Sequence, residues 1–194
     1  MTLKLNGSSS GYTAIDAPAA AGSNTLVLPA DNGSNGEFLQ TNGSGTLDWS
    51  AEGKILQVST TATEVATSTT STSYVDATGM SLAITPSSTS SKIIIVCCGT
   101  VNAIGSTYWA YFTLLRGSTD LGNPSNGKGL LGLYSNGSAA DTHAPMTMFY
   151  VDSPNTTSST TYKLQLKIGP DSSGYAKFNQ QPQKATFTLL EVGP

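Results

Sequence analysis

Hydrolysis and group transfer in a small protein are usually carried by histidine, cysteine, serine or a pair of carboxylates, and this sequence is poor in the first two. Its one imidazole is His143, in Asp141-Thr142-His143-Ala144-Pro145. A Ser/His/Asp or Cys/His mechanism sets such a ring between a nucleophile and an orienting acid. Asp141, two residues away, is too close in sequence to read as a triad partner, so His143 reads as a loop or strand-edge residue. Cys97 and Cys98 are adjacent, and neighbours on a strand point to opposite faces, so a disulfide between them would be strained. Both read as reduced packing residues. There is no histidine pair, no Cys-x-x-Cys and no Asp-x-Asp calcium loop, which leaves no metal-ligand spacing. Glycoside hydrolysis needs only two carboxylates, and Asp76, Asp120, Asp141, Asp152 and Asp171 fall in or near loops. Those same residues serve as turn formers, and that is the reading preferred. Gly127-Lys128-Gly129 forms neither a Walker nor a dinucleotide fingerprint. The expectation is a protein with no catalytic residues, no metal, no cofactor and no enzymatic activity.

With chemistry set aside, the remaining question is which elements build surfaces. Only 11% of the 194 residues are charged, so solubility rests on hydroxyls and Gly-rich turns, as in rigid β proteins. A net charge of -3 gives no electrostatic footprint for nucleic acid. The longest wholly apolar run, Ile93 to Cys98, is far short of the roughly twenty residues that span a bilayer. Met1-Thr2-Leu3-Lys4-Leu5-Asn6-Gly7 lacks a signal peptide's apolar stretch. Synthesis in a cytoplasm, without membrane insertion, is expected. Sequons begin at Asn6, Asn32, Asn42, Asn136 and Asn155. All but the last are Asn-Gly-Ser and read as tight turns rather than glycan sites.

From Lys54 onward, strand signals recur at sandwich spacing with no helical periodicity. Candidates are Lys54 to Ser59, Ser73 to Asp76, Met80 to Ile84, Lys92 to Cys98, Thr107 to Arg116, Leu130 to Tyr134, Met146 to Val151, Tyr162 to Ile168, Tyr175 to Phe178 and Lys184 to Glu191. This predicts an all-β body over residues 54–194, a jelly-roll-like β sandwich. The clearest strand puts Tyr162, Leu164, Leu166 and Ile168 inward and Lys163, Gln165 and Lys167 outward. In Tyr108 to Leu115 and Met146 to Val151, by contrast, both alternating sets are largely apolar. One face can fill the sandwich, and the other needs cover. Either a loop of the same domain supplies it, or Trp109, Tyr111, Phe149 and Val151 pack against neighbouring subunits about a threefold axis.

Residues 1–53 read differently. Their apolar pieces are too short to enclose a core, so they form an extended β arm that must order on something else. Ile15, Leu26, Leu28, Phe38, Leu47 and Trp49 are the residues expected to dock it. Gly22-Ser23-Asn24-Thr25-Leu26 recurs as Gly43-Ser44-Gly45-Thr46-Leu47, a weak repeat whose units would gain a core by stacking or association. Ser50 to Gly53 reads as the hinge to the body.

The string Ile15-Asp16-Ala17-Pro18-Ala19-Ala20-Ala21-Gly22-Ser23-Asn24-Thr25-Leu26-Val27-Leu28-Pro29, with Asn32-Gly33-Ser34 and Gly43 to Trp49, resembles a module of tailed phages, especially marine and cyanobacterial ones. The body, with Thr72 to Met80, Ile84-Thr85-Pro86 and Ser91 to Val96, resembles the compact β domains that follow such modules; its strand order and size are similar to trimeric jelly rolls of the C1q and tumour-necrosis-factor type. The resemblance implies a trimeric virion-surface protein, a capsid decoration or short fibre, whose arm anchors to other virion proteins of capsid or tail. The alternative it implies is a tail-fibre or fibre-tip protein for host attachment, binding a receptor or a host surface glycan. For that role Ser118 to Lys128, Tyr134 to Asp141 and Asp171 to Phe178 are the loops that could touch carbohydrate, or are plain solvated loops. A secreted lectin-like module is disfavoured by the missing signal peptide. One short arm and one domain, without a long shaft repeat, favour a short appendage over a complete long fibre.

Overall fold

The computed structural model describes residues 3–20, 22–51, 55–105, 108–122, 125, 127–135, 141–181 and 183–193. The expected hinge residues Glu52 and Gly53, parts of two candidate loops (123, 124, 126 and 136–140) and the sequon at Asn136 lie outside them. Among the described residues every regular element is a β-strand, and the chain divides into two units, Met1–Glu52 and Gly53–Pro194.

The first unit consists of two small hairpins. Strand β1 (Leu3–Asn6) pairs antiparallel with β2 (Tyr12–Ile15), and β3 (Glu37–Thr41) with β4 (Leu47–Ala51). Asn42 tightens the second hairpin, because its side-chain oxygen accepts from the backbone N–H of Ser44 at 2.8 Å. Val27 bridges Thr46 in parallel, with Val27 N donating to Gly45 O and Leu47 N to Val27 O, both at 2.8 Å. The two copies of the sequence repeat thus lie side by side. Gly33 sits against the Trp49 ring, where a Cβ would come within 2.7 Å, and Trp49 Nε1 donates to Asp31 O. None of the described residues of this unit is buried. Ile15, Leu26, Leu28 and Phe38 are exposed, and Leu47 and Trp49 are half-buried.

The second unit is a β sandwich. Its strands are β5 (Ile55–Thr63), β6 (Thr67–Thr69), β7 (Val75–Ile84), β8 (Lys92–Gly105), β9 (Tyr108–Arg116), β10 (Thr119–Asp120), β11 (Leu131–Ser135), β12 (Asp141–Asp152), β13 (Thr160–Ile168), β14 (Gly174–Phe178) and β15 (Ala185–Val192). One sheet runs β10-β9-β13-β7, with β11 also on β9; the other runs β5-β15-β8-β14-β6, with β12 along β8. All named pairings are antiparallel. β13 lies between β7 and β9, and β15 between β5 and β8, so the chain crosses between layers rather than meandering within one.

Inward side chains of both sheets merge into one core, including Met80, Ile93, Ile95, Phe112, Leu114, Tyr162, Leu164, Leu166, Phe178, Phe187 and Leu189. The alternation read for β13 holds: Tyr162, Leu164, Leu166 and Ile168 are buried, while Lys163, Gln165 and Lys167 are partly exposed. Two expected strands, Ser73 to Asp76 and Met80 to Ile84, are one strand, β7. Gly79 between them has φ of 77°, a conformation open mainly to glycine. The pairing register of β13 with β7 shifts nearby, between Lys163 and Gln165, so the glycine marks a bulge rather than a break.

Two buried polar clusters tie the layers. Glu191, fully buried, accepts from Gln57 Nε2 (2.6 Å), Ser87 N (2.7 Å) and Ser87 Oγ (2.6 Å). Burial alone would raise its carboxyl, but these donors outweigh that and hold it at about 2. Asp152 takes the Tyr162 hydroxyl at 2.6 Å and the Arg116 guanidinium at 2.9 and 3.0 Å. Burial first, then this bond, pushes the Tyr162 phenol up, so it stays a donor.

Candidate interaction surfaces

Because Ala110, Phe112 and Leu114 of β9 point into the core, Trp109, Tyr111, Thr113 and Leu115 lie on the outer face of their sheet. Because Met146 and Met148 of β12 point into the core, Phe149 and Val151 lie on the outer face of the other sheet. The four residues expected at one subunit interface are therefore not brought together. Tyr111 is only 7% exposed, covered within its own unit, whereas Phe149 is 64% exposed and Val151 is exposed as well.

Phe149 and Val151 have neighbours of their own kind. Register places Val151 beside Ile94, Ile94 beside Leu190 and Leu190 beside Val58, one aliphatic row across four strands. The next row runs Phe149, Val96, Thr188, Thr60, closed by a 3.1 Å contact between the two threonine hydroxyls. Neither row holds a charge. Leu190 follows the core residue Leu189, so the rows lie on the outer face, and Val58 at their end is 59% exposed. Sheet faces of this kind, uncharged and aliphatic, resemble the fully buried centre of a protein interface.

At the far end of β8 the same face turns polar. The buried Asn102 amide reaches Asp141 and His143, and His143 Nε2 stands 2.9 Å from Asp141 Oδ2. His143 is thus a strand residue paired opposite Asn102. Among the described residues no hydroxyl or thiol hydrogen-bonds to its ring. The other carboxylates are engaged separately: Asp76 by Lys163 and Gln165, Asp120 by Thr113 and the Gly122 N–H, Asp152 as above. Cys97 is buried in the core and Cys98 is half-buried on the opposite face, both free; burial, and secondarily Cys98, pushes the Cys97 thiol up. No cluster of three metal-binding side chains occurs among the described residues, nor a helix long and apolar enough to cross a membrane.

The outer face of β9 is the opposite in character. Gly122 and Gly129 come against it, a Cβ at Gly122 meeting Thr113 Oγ1 at 2.5 Å and one at Gly129 meeting Tyr74 Oη at 2.6 Å; Leu121 N donates to Leu114 O and Leu130 N to Phe112 O, both at 2.9 Å, and Thr113 is fully buried. Beside this cover opens a cleft of about 550 Å³. Trp109 and Tyr111 stack along one wall, ring centroids 5.8 Å apart and planes within 8°, and Tyr134 lies 4.8 Å from Trp109. The space exists because the neighbouring positions lack side chains. Gly132, paired with Tyr111, and Gly169 would each carry a Cβ within 3.4 Å of these rings. Lys167, on the other side of Tyr111, holds its ammonium 4.5 Å from the Tyr74 ring centre and 6.0 Å from that of Tyr111. Burial raises the phenols of Tyr74 and Tyr111, Tyr74 also through Asp120, so both remain protonated at neutral pH. Ser172 Oγ accepts from Trp109 N at 3.2 Å, and Gly169 N donates to Trp109 O at 2.8 Å, which fixes the turn carrying Asp171 at the rim. All three candidate loops contribute to its lining, Gly127 and Lys128 from the first, Tyr134 from the second and Asp171 and Ser172 from the third; what sequence reasoning missed is the hollow itself and its aromatic wall, which depend on strand register and on Gly132 and Gly169.

No family model and no curated protein sequence matches this chain. Among solved structures it is similar to the structure of infectious bursal disease virus, Gt strain, at 12% identity and a TM-score of 0.34, over 98% of this chain and 46% of that one. A mutant VP2 protein of the same virus in derived T=1 particles aligns at 10% identity and 0.35, over 76% and 39%. The Gx strain structure gives 12% and 0.33, over 75% and 38%. The chain spans less than half the length of each, and likeness at this level establishes neither a common fold nor a common role.

Proposed function

We propose that this chain is a non-enzymatic structural protein of a bacteriophage particle, a surface decoration or short-fibre subunit made in the host cytoplasm and assembled as a homotrimer. In this reading residues 1–53 anchor to capsid or tail proteins and the sandwich faces outward. One observation carries it: the uncharged rows Val151-Ile94-Leu190-Val58 and Phe149-Val96-Thr188-Thr60 put aliphatic side chains on an outer sheet face, with Val151, Phe149 and Val58 exposed and Ile94, Val96 and Leu190 half-buried, which favours a second copy as cover. The arm points the same way, since hairpins without buried residues gain stability only by ordering on a support. The resemblance of residues 15–49 to phage modules supplies the particle. The interface retains Phe149 and Val151; Trp109 and Tyr111 belong to the other sheet.

Mass by light scattering tests the assembly. About 60 kDa is expected, three times the 20.0 kDa chain, and a 20 kDa species would overturn it. Truncation after Gly53 should leave a folded β body that no longer enters particles; incorporation at normal occupancy would show that the body itself docks. Cryo-electron microscopy of the parent virion places the density at head or tail. The second reading, a fibre tip that binds a host receptor or glycan, is favoured by the aromatic cleft.

A further inference from the structure

The aromatic cleft is separated from the aliphatic rows by the thickness of the sandwich, so what it does stands apart from self-association. Three features define its chemistry. Trp109 is 43% exposed although it stacks on Tyr111 and leans on Tyr134, so apolar ring surface is held rigid in water. Polar groups converge beside it, with Asp171, Ser172 and Lys167 in the same lining. And the hollow is preformed by Gly132 and Gly169 rather than by a groove between mobile side chains. A rigid aromatic wall flanked by a few polar groups suits a ligand that presents an apolar face and a polar edge at once.

Three ligand classes have a face that stacks on tryptophan. A quaternary ammonium is disfavoured, because the Lys167 ammonium already lies over the Tyr74 and Tyr111 rings and would repel a second cation. A nucleobase on a single strand needs a basic channel that follows successive phosphates, whereas this lining offers two lysines, Lys128 and Lys167, together with Asp171, on a chain of net charge -3. A pyranose meets neither obstacle: its axial C–H groups pack on the indole while its hydroxyls take both donors and acceptors, which a lysine and an aspartate at one rim provide. We infer that the cleft bounded by Trp109, Tyr111, Tyr134, Lys167 and Asp171 binds a neutral pyranose, one sugar of a glycan, with its C–H face against the exposed side of Trp109. This names the site and the ligand class for the receptor-binding reading and does not depend on the trimer.

The test uses the full chain with 5-fluorotryptophan, which gives one fluorine resonance for Trp109 and one for Trp49. Methyl glucoside, galactoside, mannoside and N-acetylglucosaminide are titrated to about 100 mM, a range that covers weak single-sugar affinities. A saturable shift of the Trp109 resonance with at least one of them, with Trp49 unmoved, is expected. Trp109→Ala should weaken binding of that sugar about tenfold or more by calorimetry, and Asp171→Asn several-fold. Should Trp109→Ala not fold, Tyr134→Ala, at the cleft rim, takes its place with a loss of several-fold. No saturable shift with any of the four overturns the inference, as does a response confined to tetramethylammonium, to a nucleoside monophosphate or to glucuronate. Mass measured on the same samples separates the two readings: a monomer that binds sugar retires the trimer, and a trimer blind to all four sugars retires the cleft.

Discussion

The two outer faces of the sandwich have been finished in opposite ways. Over β9, Gly122 and Gly129 press on Thr113 and Tyr74, Thr113 is buried, and a lined cleft opens beside them. Over β12, β8, β15 and β5 no contact of a described residue of the second unit covers the aliphatic rows, whose ends Val58, Phe149 and Val151 are exposed and whose centre, Ile94, Val96 and Leu190, is half-buried. Both faces begin from strands whose two alternating sets are apolar. A strand with no wet face therefore has at least two structural outcomes, an internal lid or an external partner, and its own residues do not choose between them. The choice is made by the connection that follows. β9 is followed by β10 and by a segment whose Gly122 and Gly129 reach Thr113 and Tyr74, whereas β12 runs straight into the loop before β13.

The largest expected effect breaks the bare face. Val151→Asp, or Phe149→Asp, puts a charge where a copy would cover it, at a cost of several kcal/mol when unpaired. Particle mass should fall from trimer to monomer while the monomer's urea midpoint stays put. A midpoint that collapses with the mass would make these residues part of the fold rather than of an interface. The covered face breaks next. Gly129 has φ of 69°, and a Cβ there would come within 2.5 Å of Phe112 O and 2.6 Å of Tyr74 Oη. Gly129→Ala should cost about 3 kcal/mol in urea unfolding and leave the mass unchanged.

Glu191 belongs to neither face and serves as the interior reference. Its carboxyl sits at about 2 against an ordinary 4.5, so its contribution is complete above pH 4.5 and drains away as pH falls toward 2. The amount is on the order of 3 kcal/mol. Urea midpoints taken across that window should decline in the wild type and decline less in Glu191→Gln; parallel curves would mean that the Gln57 and Ser87 bonds do not distinguish the ionised form. The smallest effect sharpens rather than breaks the contrast. Thr188→Val extends the apolar part of the second row as far as Thr60, whose exposed hydroxyl turns to water, and should tighten association by about 0.5 kcal/mol, read as a lower dissociation midpoint in dilution experiments.

Much of the fold was legible because it rests on local alternation. β13, the inner set of β15 and the turn at Asn42-Gly43 follow from period-two patterning and turn chemistry. What escaped was whatever depends on a partner strand. The expected strand starts at Met146, yet β12 begins at Asp141 and runs through Pro145, because among the described residues it pairs with β8 alone and an edge strand can spare an N–H. Gly79 read as a break because its left-handed φ is invisible in the residue name. The cleft was hidden for the same kind of reason: Gly132 beside Tyr111 and Tyr111 beside Lys167 are register facts, spread over residues 111 to 167. Trp109 and Phe149 were identifiable as side chains needing cover, but sequence could not say that they point away from each other.

One rung of the sheet sets how this body can be handled as a part. Ile55 and Val192 face each other where β5 meets β15, so the polypeptide enters and leaves the sandwich a few ångströms apart. A linker of a few residues could join those ends and new termini could be opened in an exposed loop, such as the one around Asn155, giving a circular permutant with every strand pairing intact. The same neighbourhood means that the body can be inserted whole into a surface loop of another protein, with both aliphatic rows and cleft left free.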